Sequence, residues 1–262
     1  MKNKIFGLLT LFMMLAVLSG CQSTPTTDPY SLGAKSHSAV TPADRVNVEW
    51  WPARHEQVLE QVGQGNVDLI MVGDSITHGW ERNGKEMWDQ YYAPRNAVNM
   101  GFSGDRTQHV LWRFEHGEIS GISPKLAVLM IGTNNSNNYD NTAEEIADGI
   151  IAICTEIRVR SPNTKILILA IFPRGDSEQR KVDGQGATFN EQWAKNDRAS
   201  ELASEIADNK MIYFLDIGKE FLDENGVLTR EIMPDLLHLS EDGYKIWAEA
   251  IEPTVQLLMG DN

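Results

Sequence analysis

A serine at the end of an apolar run, and a histidine far behind it, set the chemical question. Ser75 stands in Gly73-Asp74-Ser75-Ile76-Thr77, directly after the apolar stretch at 67–72. His238 closes Asp235-Leu236-Leu237-His238. Two further polar blocks lie between them, Gly101-Phe102-Ser103-Gly104-Asp105 and Gly132-Thr133-Asn134-Asn135, each again just after an apolar run. A hydroxyl nucleophile, an imidazole base with a carboxylate to orient it, and donors for a developing oxyanion are the parts of acyl-transfer catalysis. Asp235 can bond one ring nitrogen of His238 and leave the other for the Ser75 hydroxyl. Candidate oxyanion donors are the Ser75 N–H, the Gly104 N–H with no side chain in its way, and the Asn134 amide.

Each residue type also has a plainer use. Ser75 can be a turn residue or a helix N-cap, or belong to a phosphate-cradling loop. The chain, however, contains neither Gly-x-x-x-x-Gly-Lys-Ser/Thr nor Gly-x-Gly-x-x-Gly, and it lacks the Gly-x-Ser-x-Gly elbow. Asparagine after a strand is commonly a turn former, and Asp235 with His238 can simply mark a helix entry. Zinc needs three or four ligands with local spacing, and His37, His55, His78, His109 and His116 form no such group in sequence.

The four blocks need a frame that brings them together. Apolar runs at 67–72, 97–100, 126–131, 166–172 and 212–215 have the pattern of strands buried on both faces. Helical patterns fall between and around them at 56–62, 85–92, 107–116, 143–160 and 189–208, and a last one at 241–258 closes the chain. Ser240 is the expected N-cap of that last helix, with Glu241 and Asp242 in its first turn. The alternation predicts an α/β fold, a parallel sheet covered by helices on both faces. Residues that follow the C-terminal ends of such strands share one rim. The stretch at 174–188 is polar, glycine-rich and of mixed charge, and reads as a loop over that rim, either a lid or a solvated excursion.

The chain has 262 residues, 42% of them hydrophobic, which suffices for one large domain. Its formal charge of −14 repels nucleic acid at long range and favours neutral or cationic substrates. Two cysteines cannot form a disulfide framework. Cys154 sits in an apolar helical stretch and reads as an inert buried thiol. Lys2 and Lys4, an apolar run at 5–18, and Leu18-Ser19-Gly20-Cys21 read as a signal peptide over 1–20. Its end resembles the lipobox of bacterial lipoproteins, which implies a lipid on Cys21 and attachment to the bacterial cell envelope. Gln22 after the cysteine points, by the same resemblance, to the outer membrane. The segment 21–41, rich in Ser, Thr and Pro, reads as a flexible tether, with one folded domain over 42–262.

Taken in order, the four blocks resemble those of the SGNH (GDSL) hydrolases. Asn99-Met100-Gly101-Phe102-Ser103-Gly104-Asp105 and Thr107-Gln108-His109-Val110-Leu111-Trp112-Arg113 are similar to the second block of one subgroup. That subgroup is the catalytic subunits of intracellular platelet-activating-factor acetylhydrolase. Phe172-Pro173-Arg174-Gly175 and Leu237-His238-Leu239-Ser240-Glu241-Asp242-Gly243-Tyr244 carry the same likeness, which runs from about 50 to 253. The resemblance implies a flavodoxin-like three-layer α/β/α sandwich around a five-stranded parallel sheet. It implies Ser75 as nucleophile, His238 as base, Asp235 as its partner, and Ser75, Gly104 and Asn134 as the oxyanion hole, with no metal or organic cofactor. Ser103 stands where the subgroup often has a second glycine, and narrows the site. The lipobox departs from those cytosolic relatives. The expected function is that of a serine esterase acting through an acyl-enzyme on short acyl esters, acetyl foremost, of a sugar or other small alcohol. A lysophospholipase or thioesterase of the same family is one alternative. Another is a non-catalytic envelope binding protein on the same fold, which would need none of the polar groups retained here.

Overall fold

A computed structural model describes residues 35–137 and 140–261 of the chain. Its centre is a five-stranded parallel sheet: β1 (Leu69–Gly73), β2 (Ala97–Gly101), β3 (Leu126–Met130), β4 (Lys165–Leu169) and β5 (Ile212–Leu215). The strand order is β2-β1-β3-β4-β5, with Leu69 opposite Ala97 on one side and Leu126 on the other. The helices are α1 (Trp50–Gly63), α2 (Ser75–His78), α3 (Lys85–Met87), α4 (Thr107–Glu115), α5 (Ala143–Arg160), α6 (Glu191–Ser204) and α7 (Glu241–Met259). Ile70, Val72, Ala127 and Leu129 point into a core shared with α1, α4, α5 and α6. Leu69, Met71, Val128 and Met130 point into a second core, under α2 and α7. Two cores on opposite faces make the three-layer sandwich, and they explain why both alternations of each strand are apolar.

Helix α5 has the expected bounds because Thr142 and Glu145 form a reciprocal capping box at its start. Helix α1 begins at Trp50, not near 56. Pro52 falls in its first turn, where no intrahelical N–H is needed, so the proline does not bar the helix. Helix α6 starts two residues later than expected, because the Asn190 side chain caps it by accepting the Trp193 N–H. The region at 85–92 continues past α3 as a π-helical turn, Trp88–Tyr92.

The signal peptide and Cys21 lie outside the described residues. The far end of the expected tether, however, is part of the domain. Lys35 and His37 both reach the Asp148 carboxylate on α5, and Ser38–Val40 forms a 3-10 turn. Ala39 is fully buried, and its carbonyl accepts the Thr107 hydroxyl at 2.7 Å. Asn141 donates to the Ser38 hydroxyl at 2.9 Å. Packing against α4 and α5 therefore starts the folded domain ahead of residue 42.

The loop after β2 is fastened by buried charge. Asp105 is fully buried and accepts from Trp51 Nε1 (2.8 Å), Arg113 Nε (3.0 Å) and Arg45 Nη1 (3.1 Å). Burial pushes its pKa up, against the opposing pull of Arg113, Trp51 and Arg45. Arg113 is fully buried too. It also pairs with Glu118 and lies 3.9 Å over the Phe102 ring. His55 Nδ1 meets the other Glu118 oxygen at 2.8 Å. Removing one member of such a network strands the others without solvent, at a cost of about 3–5 kcal/mol. Arg113→Met is expected to lower unfolding stability by that amount. Urea denaturation at neutral pH reads it, and a loss below roughly 1 kcal/mol would contradict the assignment of Arg113 as the hub.

Candidate active site

Ser75 is the first residue of α2, directly beyond β1. Asp74 turns the chain there, its Oδ1 accepting the Ile76 N–H at 3.0 Å. Tyr244 of α7 donates its hydroxyl to the Ile76 carbonyl at 2.6 Å, which fixes the short helix from the opposite side. Gly101 is required at the end of β2, since a Cβ there would come within 2.2 Å of the His78 nitrogen.

The base comes from the loop that precedes α7. Asp235 Oδ1 accepts the N–H groups of Leu237 (3.1 Å) and His238 (2.7 Å), and Oδ2 accepts from His238 Nδ1 at 2.8 Å. Leu236, between them, holds a left-handed φ of 57° and is fully buried. That conformation costs a non-glycine residue roughly 1 kcal/mol, here offset by burial of the side chain. Partial burial raises the Asp235 pKa. The hydrogen bonds from His238 and the charges of His238 and Arg180 outweigh it and hold the carboxyl well below its usual range. An ionised carboxylate only accepts, so Nδ1 carries the imidazole proton and Nε2 faces the Ser75 hydroxyl, 2.8 Å away, as acceptor.

Ser75, Gly104, Asn134 and His238 line one cleft of about 620 Å³. They follow β1, β2 and β3 and precede α7, so the order β2-β1-β3 puts them at the switch point of the sheet. Gly104 has φ 79°, a conformation that leaves its N–H free of a side chain. Asn134 donates one amide hydrogen to the Asp105 carbonyl at 2.9 Å and keeps the second. Ser103 lies beside them, its hydroxyl 3.0 Å from His78 Nδ1. Burial and the Arg54 and Arg82 charges, against Glu81, push His78 down to about 4, so this ring is neutral at pH 7. Cys154 lies apart from the cleft, buried in the first core, with its thiol pKa pushed up by burial.

Four further residues support the site, and of these Arg45 and Arg180 lie outside the blocks that mark it in the sequence. Asp74 is fully buried with Oδ2 unpartnered, and burial pushes its carboxyl up to about 7. Arg174 is buried and ties the loop after β4 to Thr133, donating to its carbonyl (3.2 Å) and hydroxyl (3.0 Å). Arg45 reaches from ahead of α1 to the Ser103 carbonyl at 2.7 Å. Arg180 donates from Nη2 to Asp235 Oδ2 (3.0 Å) and from Nε to the Asp235 carbonyl (2.9 Å). The 174–188 segment that carries Arg180 is strapped down. Gln179 bonds Thr188, and Arg230 donates to the carbonyls of Gln179, Arg180, Val182 and Gln185.

Arg180 therefore bears on the same carboxylate oxygen that orients His238. Its charge is one of the causes that hold the Asp235 carboxyl below its usual range, and its two hydrogen bonds help fix the carboxylate's place under His238. Arg180→Gln is expected to lower kcat several-fold with KM nearly unchanged, because the carboxylate that orients His238 loses a tie, with partial return in Arg180→Lys. An unchanged kcat accompanied only by a lower Tm would mean that Arg180 is structural.

Comparison with known proteins agrees with this geometry. A family model described as the GDSL-like Lipase/Acylhydrolase family matches residues 71–246. The platelet-activating factor acetylhydrolase IB subunits alpha2 of Rattus norvegicus and Homo sapiens are each 33% identical over 210 residues, 80% of this chain and 83% of the relative. Among solved structures, a GDSL-like lipase from Bacteroides thetaiotaomicron superposes with TM-score 0.56 at 18% identity, covering 78% of this chain and 98% of its own. A carbohydrate acetylesterase from Sinorhizobium meliloti gives TM-score 0.56 at 20% identity, covering 73% and 99%. These two share the fold. With a family model across both ends of the site, and a third of residues identical over four-fifths of its length, the chain belongs to the GDSL-like lipase/acylhydrolase family of ester hydrolases.

Proposed function

We propose that this protein is a serine esterase that removes short acyl groups, acetyl foremost, from a carbohydrate or another small alcohol through an acyl-enzyme. The observation that carries the reading is the unbroken chain of hydrogen bonds from Asp235 through His238 to Ser75, opening onto the cleft. Ser75 Oγ attacks the ester carbonyl while His238 Nε2 takes its proton. The oxyanion accepts from the Ser75 and Gly104 N–H groups and the Asn134 amide. Collapse expels the alcohol, which takes the proton from Nε2, and water repeats the cycle on the acyl-serine.

Acyl size is argued from the cleft wall. Ser103 stands beside Gly104, and Leu237 and Leu239 are the aliphatic residues in the lining. A long acyl chain finds little there to bury against, and each methylene left in water forgoes about 0.8 kcal/mol. The names of the relatives, an acetylhydrolase and a carbohydrate acetylesterase, support the same choice. Ser75→Ala and His238→Ala are each expected to cost several powers of ten in kcat, and the pair little more. Asn134→Ala is expected to lower kcat about 10²–10³-fold with KM nearly unchanged. For the wild type, kcat/KM is expected to fall from acetyl to octanoyl 4-nitrophenyl esters. Near wild-type turnover by folded Ser75→Ala would sink the mechanism, and an optimum at octanoyl would favour a lipase.

We further propose that Cys21 carries lipid and tethers the enzyme to the bacterial envelope. Support comes from the basic-then-apolar leader and the Leu18-Ser19-Gly20-Cys21 sequence. Stable attachment needs more than one acyl chain. Cys21→Ser is expected to shift the protein out of the membrane fraction or leave it unprocessed. An unmodified mature N-terminus at another residue, read by mass spectrometry, would overturn the proposal.

A further inference from the structure

The cleft is charged opposite to the chain. The formal charge is −14, yet among the described residues no aspartate or glutamate lines the Ser75 cleft, and two arginines do, Arg45 and Arg82. The net charge alone favours neutral or cationic substrates, and the local lining reverses that expectation.

The two guanidinium groups are placed differently. Arg45 Nη1 is engaged by the Ser103 carbonyl and by Asp105. Its other amino group lies against Gly104, where an added Cβ would meet Nη2 at 3.0 Å. Arg45 thus borders the proposed oxyanion hole with donors to spare. Arg82 is exposed and has no carboxylate within 4.0 Å among the described residues. Its neighbour Glu81 is turned away and held by Arg54, which donates to both carboxylate oxygens at 3.0 and 2.7 Å. Next to it, Asn83 donates to the Leu239 carbonyl at 3.0 Å, which fixes this corner beside His238. Glu86, Glu241, Asp242 and Glu249, with Lys85 and Lys245, share a separate surface depression with Arg82, and none of these six lines the Ser75 cleft.

A third group completes the wall. Trp50, at the start of α1, lines the same cleft and remains 39% exposed, its ring 5.8 Å from that of His78. An indole face left open in a cleft is a flat apolar platform of the size of a sugar ring. A guanidinium with unused donors recognises carboxylates in a planar, bidentate manner. We infer that the alcohol part of the substrate is an acidic sugar, its ring against Trp50 and its carboxylate on Arg82 and Arg45. The inference rests on the esterase reading above and narrows its substrate.

Binding to the Ser75→Ala protein tests it without turnover. The probes are methyl glucuronide and methyl glucoside, which differ in a carboxylate against a hydroxymethyl group, followed by indole NMR shifts. At low ionic strength the glucuronide is expected to bind about tenfold more tightly. That ratio is expected to fall towards one in Arg82→Glu, and in wild-type surroundings at about 0.5 M salt. Trp50→Ala is expected to weaken both sugars alike. Equal affinity for the two sugars, no binding of either, or a preference that survives Arg82→Glu would each overturn the inference. Hydrolysis of 4-nitrophenyl acetate by the unmutated enzyme reports separately on the esterase reading, so the two can fail independently.

Discussion

The site depends on a carboxylate that has no water around it. Asp105 sits at the end of the Gly101–Asp105 turn and is held by Trp51 from α1, Arg113 from α4 and Arg45 from the segment ahead of α1. A buried ion pair adds little net stability compared with an apolar filling of the same volume. What it does supply is geometry. A stranded charge in that place is so costly that the loop has one acceptable position. Because Asn134 donates to the Asp105 carbonyl, the second and third blocks are locked to one another through the same residue. The two proposed oxyanion donors beyond Ser75 itself are therefore placed by electrostatics in the core and not by the cleft surface.

The reactive side is held by a different device. Ser75 and His238 are 163 positions apart in sequence, and their meeting rests on the sheet order and on α7. Tyr244, six positions after His238, reaches back to the turn of α2, so the helix that follows the base also clamps the nucleophile. Leu236 shows the strain in this arrangement. Its left-handed backbone lets Asp235 turn back and accept from both His238 Nδ1 and the His238 N–H. The left-handed turn persists because the Leu236 side chain is buried in the second core and its carbonyl accepts the Gly175 N–H at 2.8 Å. The loop after β4 and the loop before α7 are thus a single unit, reinforced by Arg180.

Much of this was legible in the sequence wherever the signal was local. All five strands fall within or beside the apolar runs, because a strand buried on both faces needs no partner to look apolar. The helical pattern at 143–160 coincides with α5, whose start the structure shows to be fixed by a capping box. Ser75, Gly104, Asn134, Asp235 and His238 stood out as candidates because each follows a strand or precedes a helix in a short block. The cues failed where a contact spans distance. Arg180 looked like one charge among several in a polar stretch, and only the fold shows which carboxylate it meets. Ser38–Val40 looked like tether because polar, small residues hide their two anchoring hydrogen bonds to α4 and to the loop before α5. Asp74 drew no reading of its own in the sequence, and only the fold shows that it is fully buried.

The same distinction governs charge. A net charge is a sum over the whole surface, but at 0.1 M salt an exposed charge is felt over only about 10 Å. A ligand entering a cleft therefore responds to the handful of groups within that radius, and most of the acidic residues of this chain do not count among them. Glu81 is spent on Arg54, Asp105 on three donors, and Asp235 on His238 and Arg180, and none of the three lines the cleft. The charged groups that line the cleft are cationic, because Arg82 has no carboxylate within 4.0 Å among the described residues and Arg45 is only partly engaged. An acidic protein can in this way present a basic entrance, since the local charge of a cleft is set by pairing inside the fold, which composition does not record.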